Sequence, residues 1–146
     1  MKLFVDCDVL LDVGLGREPF CSASGALLDY LENHPGDGFI AWHSIANFFY
    51  ITAKSGLKDQ RKQFIAELCN FLAIVPVANN DLMIALELPF ADFEDAMQCA
   101  CAIACQADVI VSRNIGDYQN SPIRTATPEQ VLSELNGQPS AYQTPS

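Results

Sequence analysis

The sequence predicts a three-layer α/β/α sandwich built around a central parallel β-sheet. Short apolar runs of strand length alternate along the chain with longer segments in which apolar residues recur at helical spacing. The short runs are apolar at nearly every position, which is typical of strands that are buried on both faces. With 146 residues, half of them hydrophobic, the chain is long enough for one domain with a substantial core.

The first predicted strand and helix lie within residues 3–38. The apolar run 3–5 predicts a strand that leads directly into Asp6, and a second apolar triplet at 9–11 precedes chain breakers at Gly14, Gly16 and Pro19. Residues 22–33 carry apolar side chains at helical spacing and predict a helix. The segment that follows, 34–38, contains proline and glycine and predicts a turn.

A strand and two helices are predicted between residues 39 and 70. Residues 39–42 are apolar throughout and predict a buried strand. Ser44 is a favoured N-cap residue for a helix through about residue 54, and Gly56 ends that helix. In the next predicted helix, 58–70, the side chains of Phe64, Ile65 and Leu68 are expected to face the core.

The rest of the chain repeats the alternation of strands and helices. Strands are predicted at 72–77, 109–111 and 123–126, and helices at 80–88, 92–106 and 128–135. Pro89 ends the first of these helices, and Pro128 occupies a favoured first position of the last one. We expect residues 1–136 to form one domain and residues 137–146, which are rich in Gly, Pro, Ser and Gln, to form a flexible tail.

The charge balance restricts how this protein can bind nucleic acid. Eight Lys and Arg residues against eighteen Asp and Glu residues give a net charge of −10. A protein that binds phosphates mainly with its own cations is usually basic. This chain is therefore expected either to avoid nucleic acid or to bind it with the help of a metal ion.

The apolar segments and the cysteines of the sequence predict the cellular compartment and the state of the thiols. No apolar stretch reaches the roughly 20 residues that a membrane-spanning helix needs, and no signal peptide is recognisable, so we expect a cytoplasmic protein with no membrane partner. The six cysteines include no Cys-x-x-Cys pair. We therefore expect reduced cysteines that pack as small core residues, and neither disulfides nor a zinc site.

Candidate functional residues follow from the predicted sheet, because sites in parallel α/β sheets form beyond the carboxyl ends of the strands. Asp6 stands directly after the first strand, where a carboxylate is costly unless it is paired or bound to a cation. Ser112, Asn114 and Asp117 follow a later strand in the same way. Asp8 is expected on the same side as Asp6 only if the first strand continues.

Two further acidic residues begin the predicted helix at 92–106. Asp92 and Asp95 are three residues apart and therefore share one helix face. Asp92 is also a favoured N-cap residue, and that structural interpretation outweighs a functional one for Asp92 alone. Asp95 lies beyond the cap. Mg²⁺ or Mn²⁺ prefers a few carboxylate ligands plus waters, and such an ion lets an acidic protein act on a phosphodiester.

Several motifs in the expected order resemble the PIN domain family over about residues 3–135. They are Phe4-Val5-Asp6-Cys7-Asp8, Arg17-Glu18-Pro19-Phe20, Asp92-Phe93-Glu94-Asp95-Ala96, Ser112-Arg113-Asn114 with Asp117-Tyr118, and Thr127-Pro128-Glu129. The resemblance implies a PIN-like fold and Mg²⁺- or Mn²⁺-dependent cleavage of single-stranded RNA. It implies Asp6, Asp95 and Asp117 as catalytic and metal-binding residues, with Asp92 as a further ligand, and Ser112 and Asn114 as supporting residues.

One position departs from the family pattern. PIN nucleases usually carry a glutamate in the helix after the second strand, and the corresponding residue here is Asn47. An Asn can bind a metal through its carbonyl oxygen but adds no charge, so we expect Asn47 near the site and a reduced catalytic strength. The resemblance also implies a homodimer and, because many PIN proteins of this size are toxins of toxin–antitoxin pairs, an antitoxin partner.

Two alternatives remain open at this stage. A PIN fold with an incomplete acid set could be an inactive binding or scaffold module. Alternatively, Asp6-Cys7-Asp8-Val9 fits the Asp-x-Asp signature of haloacid dehalogenase-like phosphatases, with Asp6 as nucleophile and Asp8 as general acid. That family also needs a downstream lysine, and no lysine follows Lys62.

Overall fold

The computed structural model describes residues 1–137 and places all five strands in one parallel sheet. The strands, in chain order, are β1 (Leu3–Val5), β2 (Gly38–Ile40), β3 (Leu72–Ile74), β4 (Val109–Val111) and β5 (Thr125–Ala126). Their order across the sheet is β3-β2-β1-β4-β5. The chain therefore builds one side of the sheet from β1 to β3 and then returns to β4 on the opposite side of β1.

Seven α-helices connect and flank the strands within residues 1–137. They are α1 (Cys7–Leu15), α2 (Cys21–Glu32), α3 (Trp42–Ile51), α4 (Arg61–Leu68), α5 (Asn79–Glu87), α6 (Phe93–Ala104) and α7 (Pro128–Leu135). Short 3-10 turns lie at Thr52–Lys54, Lys58–Gln60 and Ile115–Tyr118. None of the described helices is long and apolar enough to cross a membrane.

The two faces of the sheet bury different sets of side chains, as the alternation along a strand requires. Leu3 and Val5 pack on one face with core residues of α1, α2, α3, α4 and α7. Phe4 and Ile110 point to the other face and pack with Cys99 and other residues of α6, against which α5 packs in turn. This arrangement confirms the predicted α/β/α sandwich with a central parallel sheet.

The structure corrects the prediction where the first strand ends. The strand does not continue past Val5, because the chain turns at Asp6 and enters α1, which had been predicted only as an apolar triplet between chain breakers. Gly16 ends α1 with a positive φ of 61°, a conformation that glycine adopts without a steric penalty. The glycine predicted as a breaker is thus the C-cap of a helix.

A second correction concerns the start of α3. Strand β2 ends at Ile40 and α3 begins at Trp42, so Ser44 lies inside the first turn and is not the N-cap. Ser44 is fully buried, and its hydroxyl accepts a hydrogen bond from Gln98 at 2.9 Å. The hydroxyl that suggested a cap therefore joins α3 to α6. All six cysteines are free, and the predicted tail lies outside the described residues from residue 138 onward.

Candidate functional site

Asp6 and Ser112 directly follow the carboxyl ends of β1 and β4. These neighbouring strands form the topological switch point of the sheet, because the chain adds β2 and β3 on one side of β1 and β4 and β5 on the other. The backbone N–H of Asp6 donates to the carbonyl of Val111 at 2.9 Å, and that of Ser112 donates to Ala126 at 3.0 Å. Ladder hydrogen bonds thus fix both residues to the sheet. Ligands of parallel α/β sheets bind at this switch point.

Three side chains donate hydrogen bonds to the carboxylate of Asp6, which is only 6% exposed. Ser112 Oγ and Tyr118 Oη each lie 2.9 Å from Oδ2, and Gln98 Nε2 lies 3.2 Å from Oδ1. Burial, together with the charges of Asp8 and Glu94, raises the pKa of Asp6, the Ser112 and Tyr118 hydrogen bonds lower it in part, and the result is a pKa of about 7. Asp6 is therefore a rigidly oriented carboxylate whose ionised form would be stabilised by a nearby cation.

Asp8 lies beside Asp6, although the strand does not continue to it. Its Oδ2 lies 3.1 Å from Ser112 Oγ and accepts a hydrogen bond from Asn114 Nδ2 at 3.2 Å, and its Oδ1 lies 3.4 Å from the backbone N–H of Arg113. Burial raises the pKa of Asp8. The single Ser112 hydroxyl proton is shared between two carboxylates that repel each other.

The acidic start of α6 separates into a structural residue and a candidate functional one. Asp92 is the N-cap, and its Oδ1 accepts a hydrogen bond from the backbone N–H of Asp95 at 3.1 Å. Asp95 is half-buried. Burial and, to a lesser extent, the charges of Asp92, Glu94, Asp117 and Asp8 together raise the pKa of Asp95 to about 7.

The remaining predicted residues lie farther out. Asp117 is exposed in the 3-10 turn Ile115–Tyr118, and its charge reaches Asp95. Asn114 contacts Asp8 directly. Asn47 lies one turn after His43 on α3, is half-buried, and forms no side-chain hydrogen bond within residues 1–137. The structure thus brings Asp6, Ser112 and Asn114 together and places Asp95 and Asp117 within electrostatic reach. Asn47 forms no hydrogen bond with this group in the described chain.

We name five carboxylates at this end of the sheet the acidic edge. They are Asp6, Asp8, Glu94, Asp95 and Asp117. Their oxygens are the hard donors that Mg²⁺ and Mn²⁺ prefer, and mutual repulsion raises the pKa of several of them, so the donor chemistry fits a divalent cation. Within residues 1–137, however, no three His, Cys, Asp or Glu side chains are arranged as a ready-made metal site.

Three residues of this region were not proposed as site residues from the sequence, and Asp8 was expected beside Asp6 only if the first strand continued. The three are Glu94, Gln98 and Tyr118. Glu94 looks like an ordinary first-turn acid, yet its Oε2 lies 3.1 Å from His43 Nε2 and joins α6 to α3. Gln98 carries no charge and belongs to no recognisable motif. A signal was available for Tyr118, since a buried tyrosine hydroxyl usually has a partner.

A buried ion-pair network lies next to the acidic edge. Asp12, on α1, is fully buried, and its Oδ2 accepts a hydrogen bond from Arg113 Nε at 3.0 Å. Arg17 Nη1 lies 3.8 Å from Oδ1 of the same carboxylate. The Arg113 guanidinium also stands over the ring of Phe20, 4.5 Å from its centroid. Arg113 therefore joins α1, which carries both Asp8 and Asp12, to the loop that follows β4.

Solved structures from several bacteria have the same fold. One chain of VapBC2 from Rickettsia felis, solved with a promoter DNA fragment, is 17% identical with a TM-score of 0.67, over 87% of this chain and 98% of that one. A toxin–antitoxin complex from Klebsiella pneumoniae has a matching chain with 20% identity and a TM-score of 0.63, over 88% and 98%. A chain of FitAcB from Neisseria gonorrhoeae is 15% identical with a TM-score of 0.66, over 88% of this chain and 99% of that one.

Sequence comparison identifies the family independently of these structures. No curated protein matches the chain. A family model described as the PIN domain matches residues 2–116, which is more than half of the chain and includes Asp6, Asp95, Ser112 and Asn114. The chain therefore belongs to the PIN domain family.

Proposed function

We propose that this protein is a Mg²⁺- or Mn²⁺-dependent endoribonuclease that cleaves single-stranded RNA. The observation that carries the proposal is the acidic edge, where Asp6 is buried, held by three donors and accompanied by Asp8 and Asp95, whose pKa values are raised like its own. Such carboxylates are usually found where a cation or a proton is handled. Membership of the PIN domain family supports the same conclusion, because the family's nucleases act on phosphodiester bonds.

In this proposal Asp6 and Asp95 are the main metal ligands, and Asp8 joins them from the opposite side of Ser112. Asp117 positions the ion or the attacking water from the exposed turn. Asp92 remains the helix cap that fixes the backbone of Asp95. A bound divalent ion would supply the Lewis acid that activates water and neutralises charge on the phosphodiester.

The hydrogen-bond donors around the carboxylates have a separate task. Ser112, Tyr118 and Gln98 restrict the rotation of the Asp6 side chain, so the ligand is oriented before the ion arrives. Asn114 and Ser112 do the same for Asp8. Asn47 supplies no charge, and we expect slower cleavage than an acid at this position would give.

The biological setting is proposed from the structural relatives. The similar chains belong to toxin–antitoxin complexes from several bacteria, and we propose that this protein is likewise a toxin held inactive by an antitoxin protein. We also propose that it forms a homodimer and acts in the cytoplasm, where its RNA substrates are found.

The function is tested with a labelled single-stranded RNA, with Mn²⁺ or EDTA present. We expect cleavage with Mn²⁺, none with EDTA, and a loss of at least a hundredfold in Asp6→Asn and in Asp95→Asn, on the order of the effect of removing a key electrostatic group. Asp59→Asn is the matched control, because Asp59 is exposed in the 3-10 turn Lys58–Gln60 and should leave the rate unchanged.

An inactive binding module is the second candidate. It is favoured by Asn47, which stands where the family usually has an acid and forms no hydrogen bond with the acidic edge in the described chain. If purified protein binds RNA but cleaves none of a varied set of RNAs with Mg²⁺ or Mn²⁺, this candidate replaces the nuclease. The phosphatase alternative is not retained, since the chain belongs to a different family.

A further inference from the structure

The network around Asp12 carries more positive than negative charge. One fully buried carboxylate faces two guanidinium groups, those of Arg113 at 3.0 Å and Arg17 at 3.8 Å. Asp12 Oδ1 has no hydrogen-bond partner in the described chain, although Arg17 lies near it. Since one negative charge cannot neutralise two positive ones, Asp12 and its two arginines carry one net positive charge, which the nearby carboxylate of Asp8 offsets in part at Arg113. The side chains of Arg113 and Arg17 are 24% and 37% exposed, so that charge reaches the surface.

Arg113 is held in a fixed orientation. Its Nε is bound to Asp12, its guanidinium plane stands over Phe20, and its backbone N–H contacts Asp8. Its two terminal Nη groups have no hydrogen-bond partner within residues 1–137. A guanidinium whose stem and plane are fixed by neighbours loses little entropy when its free N–H groups bind a ligand.

Arg17 is placed beside Arg113 by the end of α1. Gly16 turns the chain with a positive φ, and the backbone N–H of Arg17 then donates to the carbonyl of Asp12 at 3.0 Å. Both arginines therefore depend on the same residue of α1. Their guanidinium groups converge next to the acidic edge of a chain whose net charge is −10.

We propose that Arg17 and Arg113 bind phosphate groups of the RNA strand on one side of the bond that is cut, so that the strand runs from the two arginines onto the acidic edge. The proposal rests on the proposed function. A polyanion approaching five carboxylates needs positive charge beside them, and the planar fork of an arginine matches a phosphate group well. Asp12 is the positioning residue that holds both guanidinium groups beside the acidic edge.

The test measures how RNA binding depends on salt. A labelled single-stranded RNA is titrated with Asp6→Asn protein, in which cleavage is suppressed, at several salt concentrations with Mg²⁺ present. Each phosphate contact on a single strand contributes about 0.7 to the slope of log Kd against log salt. Arg17→Gln in this background should lower the slope by about 0.7. Lys62→Gln removes the same charge from an exposed position on α4 and should leave the slope unchanged.

Arg113 needs a different variant, because its removal alone would leave Asp12 buried without its closest partner. The double change Asp12→Asn with Arg113→Gln removes one charge of each sign and keeps the net charge. It should lower the slope by at least about 0.7, because Arg113 is removed and Arg17 loses its partner Asp12, and an effect of overall charge would not do this. Melting curves establish that each variant is folded.

The outcomes separate this proposal from the proposed function. If the proteins bind RNA and folded Arg17→Gln has the same salt slope as the Asp6→Asn parent, the phosphate contact is overturned and the proposed nuclease function is not. Absence of RNA binding in both the parent and Lys62→Gln overturns the nuclease, and the phosphate contact with it. Lower slopes in the arginine variants alone support the proposal.

Discussion

The hydroxyl of Tyr118 is buried against a single acceptor, Oδ2 of Asp6, at 2.9 Å. The negative charge of Asp6 and burial together raise the pKa of Tyr118, so the hydroxyl stays protonated and remains a donor. Its hydrogen bond lowers the pKa of Asp6 and therefore favours the ionised form, the one that binds a cation. Tyr118 is thus expected to act on the site through Asp6.

Removing this hydroxyl gives the first prediction. In Tyr118→Phe the pKa of Asp6 should rise, so Mn²⁺ affinity at neutral pH should fall and the acid side of the cleavage pH profile should move to higher pH. Stability should drop by only about 1 kcal/mol, as for one lost hydrogen bond. Mn²⁺ titration by electron paramagnetic resonance measures the affinity. Tyr50→Phe is the control, because Tyr50 is 74% exposed and forms no hydrogen bond in the described chain.

Asp95 gives the second prediction. Its pKa is raised to about 7, so its ionised form is unfavourable in the folded protein without a cation. Asp95→Asn should leave the melting temperature without metal unchanged or higher and should remove most of the increase that Mn²⁺ produces. A destabilised Asp95→Asn that keeps the full response to Mn²⁺ would show that Asp95 is part of the helix architecture and not a ligand.

Residues of the site differ in how far the sequence could identify them. Asp6 was predictable, because a carboxylate directly after an apolar strand has no ordinary structural explanation. Asp8 was not, because its contact with Ser112 depends on the chain turning into a helix at Asp6. Gln98 could not be found either. Its contacts with Asp6 and Ser44 join α6 to β1 and α3, and a neutral side chain gives no sign of them.

Among the elements, the edge of the sheet formed by β2 and β3 depends on a glycine. A Cβ added at Gly38 would lie 2.5 Å from Leu72 Cδ2, closer than real Cβ atoms approach, and 3.1 Å from Leu31 Cδ1, which is tighter than most Cβ contacts. These leucines belong to the core on one face of the sheet. The absence of a side chain at Gly38 therefore allows β3 and α2 to close over β2.

The third prediction compares two glycines. Gly38→Ala should lower the free energy of unfolding by about 1 to 3 kcal/mol, as overpacking in a core does. Gly25→Ala on α2 should instead raise it by about 0.5 to 1 kcal/mol, because a Cβ there meets nothing within 4 Å and alanine favours the helix. Denaturant unfolding of both variants measures the two effects, and equal effects of the same sign would contradict this interpretation of Gly38.

Elements were predictable from sequence where periodicity was strong and ambiguous where it was short. The helix α6 and the strand β4 were found close to or at their observed bounds, since one is strongly amphipathic and the other is a compact apolar run. Helix α1 was missed because three apolar residues among glycines fit a strand or a helix equally well. The start of α3 was misplaced because a buried serine resembles a cap.

For the whole molecule, the acidic edge makes stability depend on pH. Folding raises the pKa of Asp6 and of Asp95 from 3.8 to about 7. Between about pH 4 and pH 7 the folded protein therefore binds more protons than the unfolded chain, and the free energy of unfolding decreases as pH rises through this range. The acidic net charge adds repulsion in the same direction.

The fourth prediction follows from this dependence. Without metal, the melting temperature should be higher at pH 5 than at pH 8, whereas saturating Mg²⁺ should reduce or reverse the difference, because the ion binds the ionised carboxylates of the folded state. Thermal unfolding at both pH values, with and without Mg²⁺, measures the effect. A metal-free protein that becomes more stable as pH rises from 5 to 8 would contradict the raised pKa values.

The position of β4 in the sheet has a consequence for the synthesis of the protein. Asp6 is made near the start of the chain, but Ser112 and Tyr118, which orient it, follow 106 and 112 residues later. β4 lies beside β1 at the centre of the sheet, so β1 stays without this neighbour until residues 109–111 have left the ribosome. The site of the proposed nuclease is therefore not assembled while residues 1–108 are being translated.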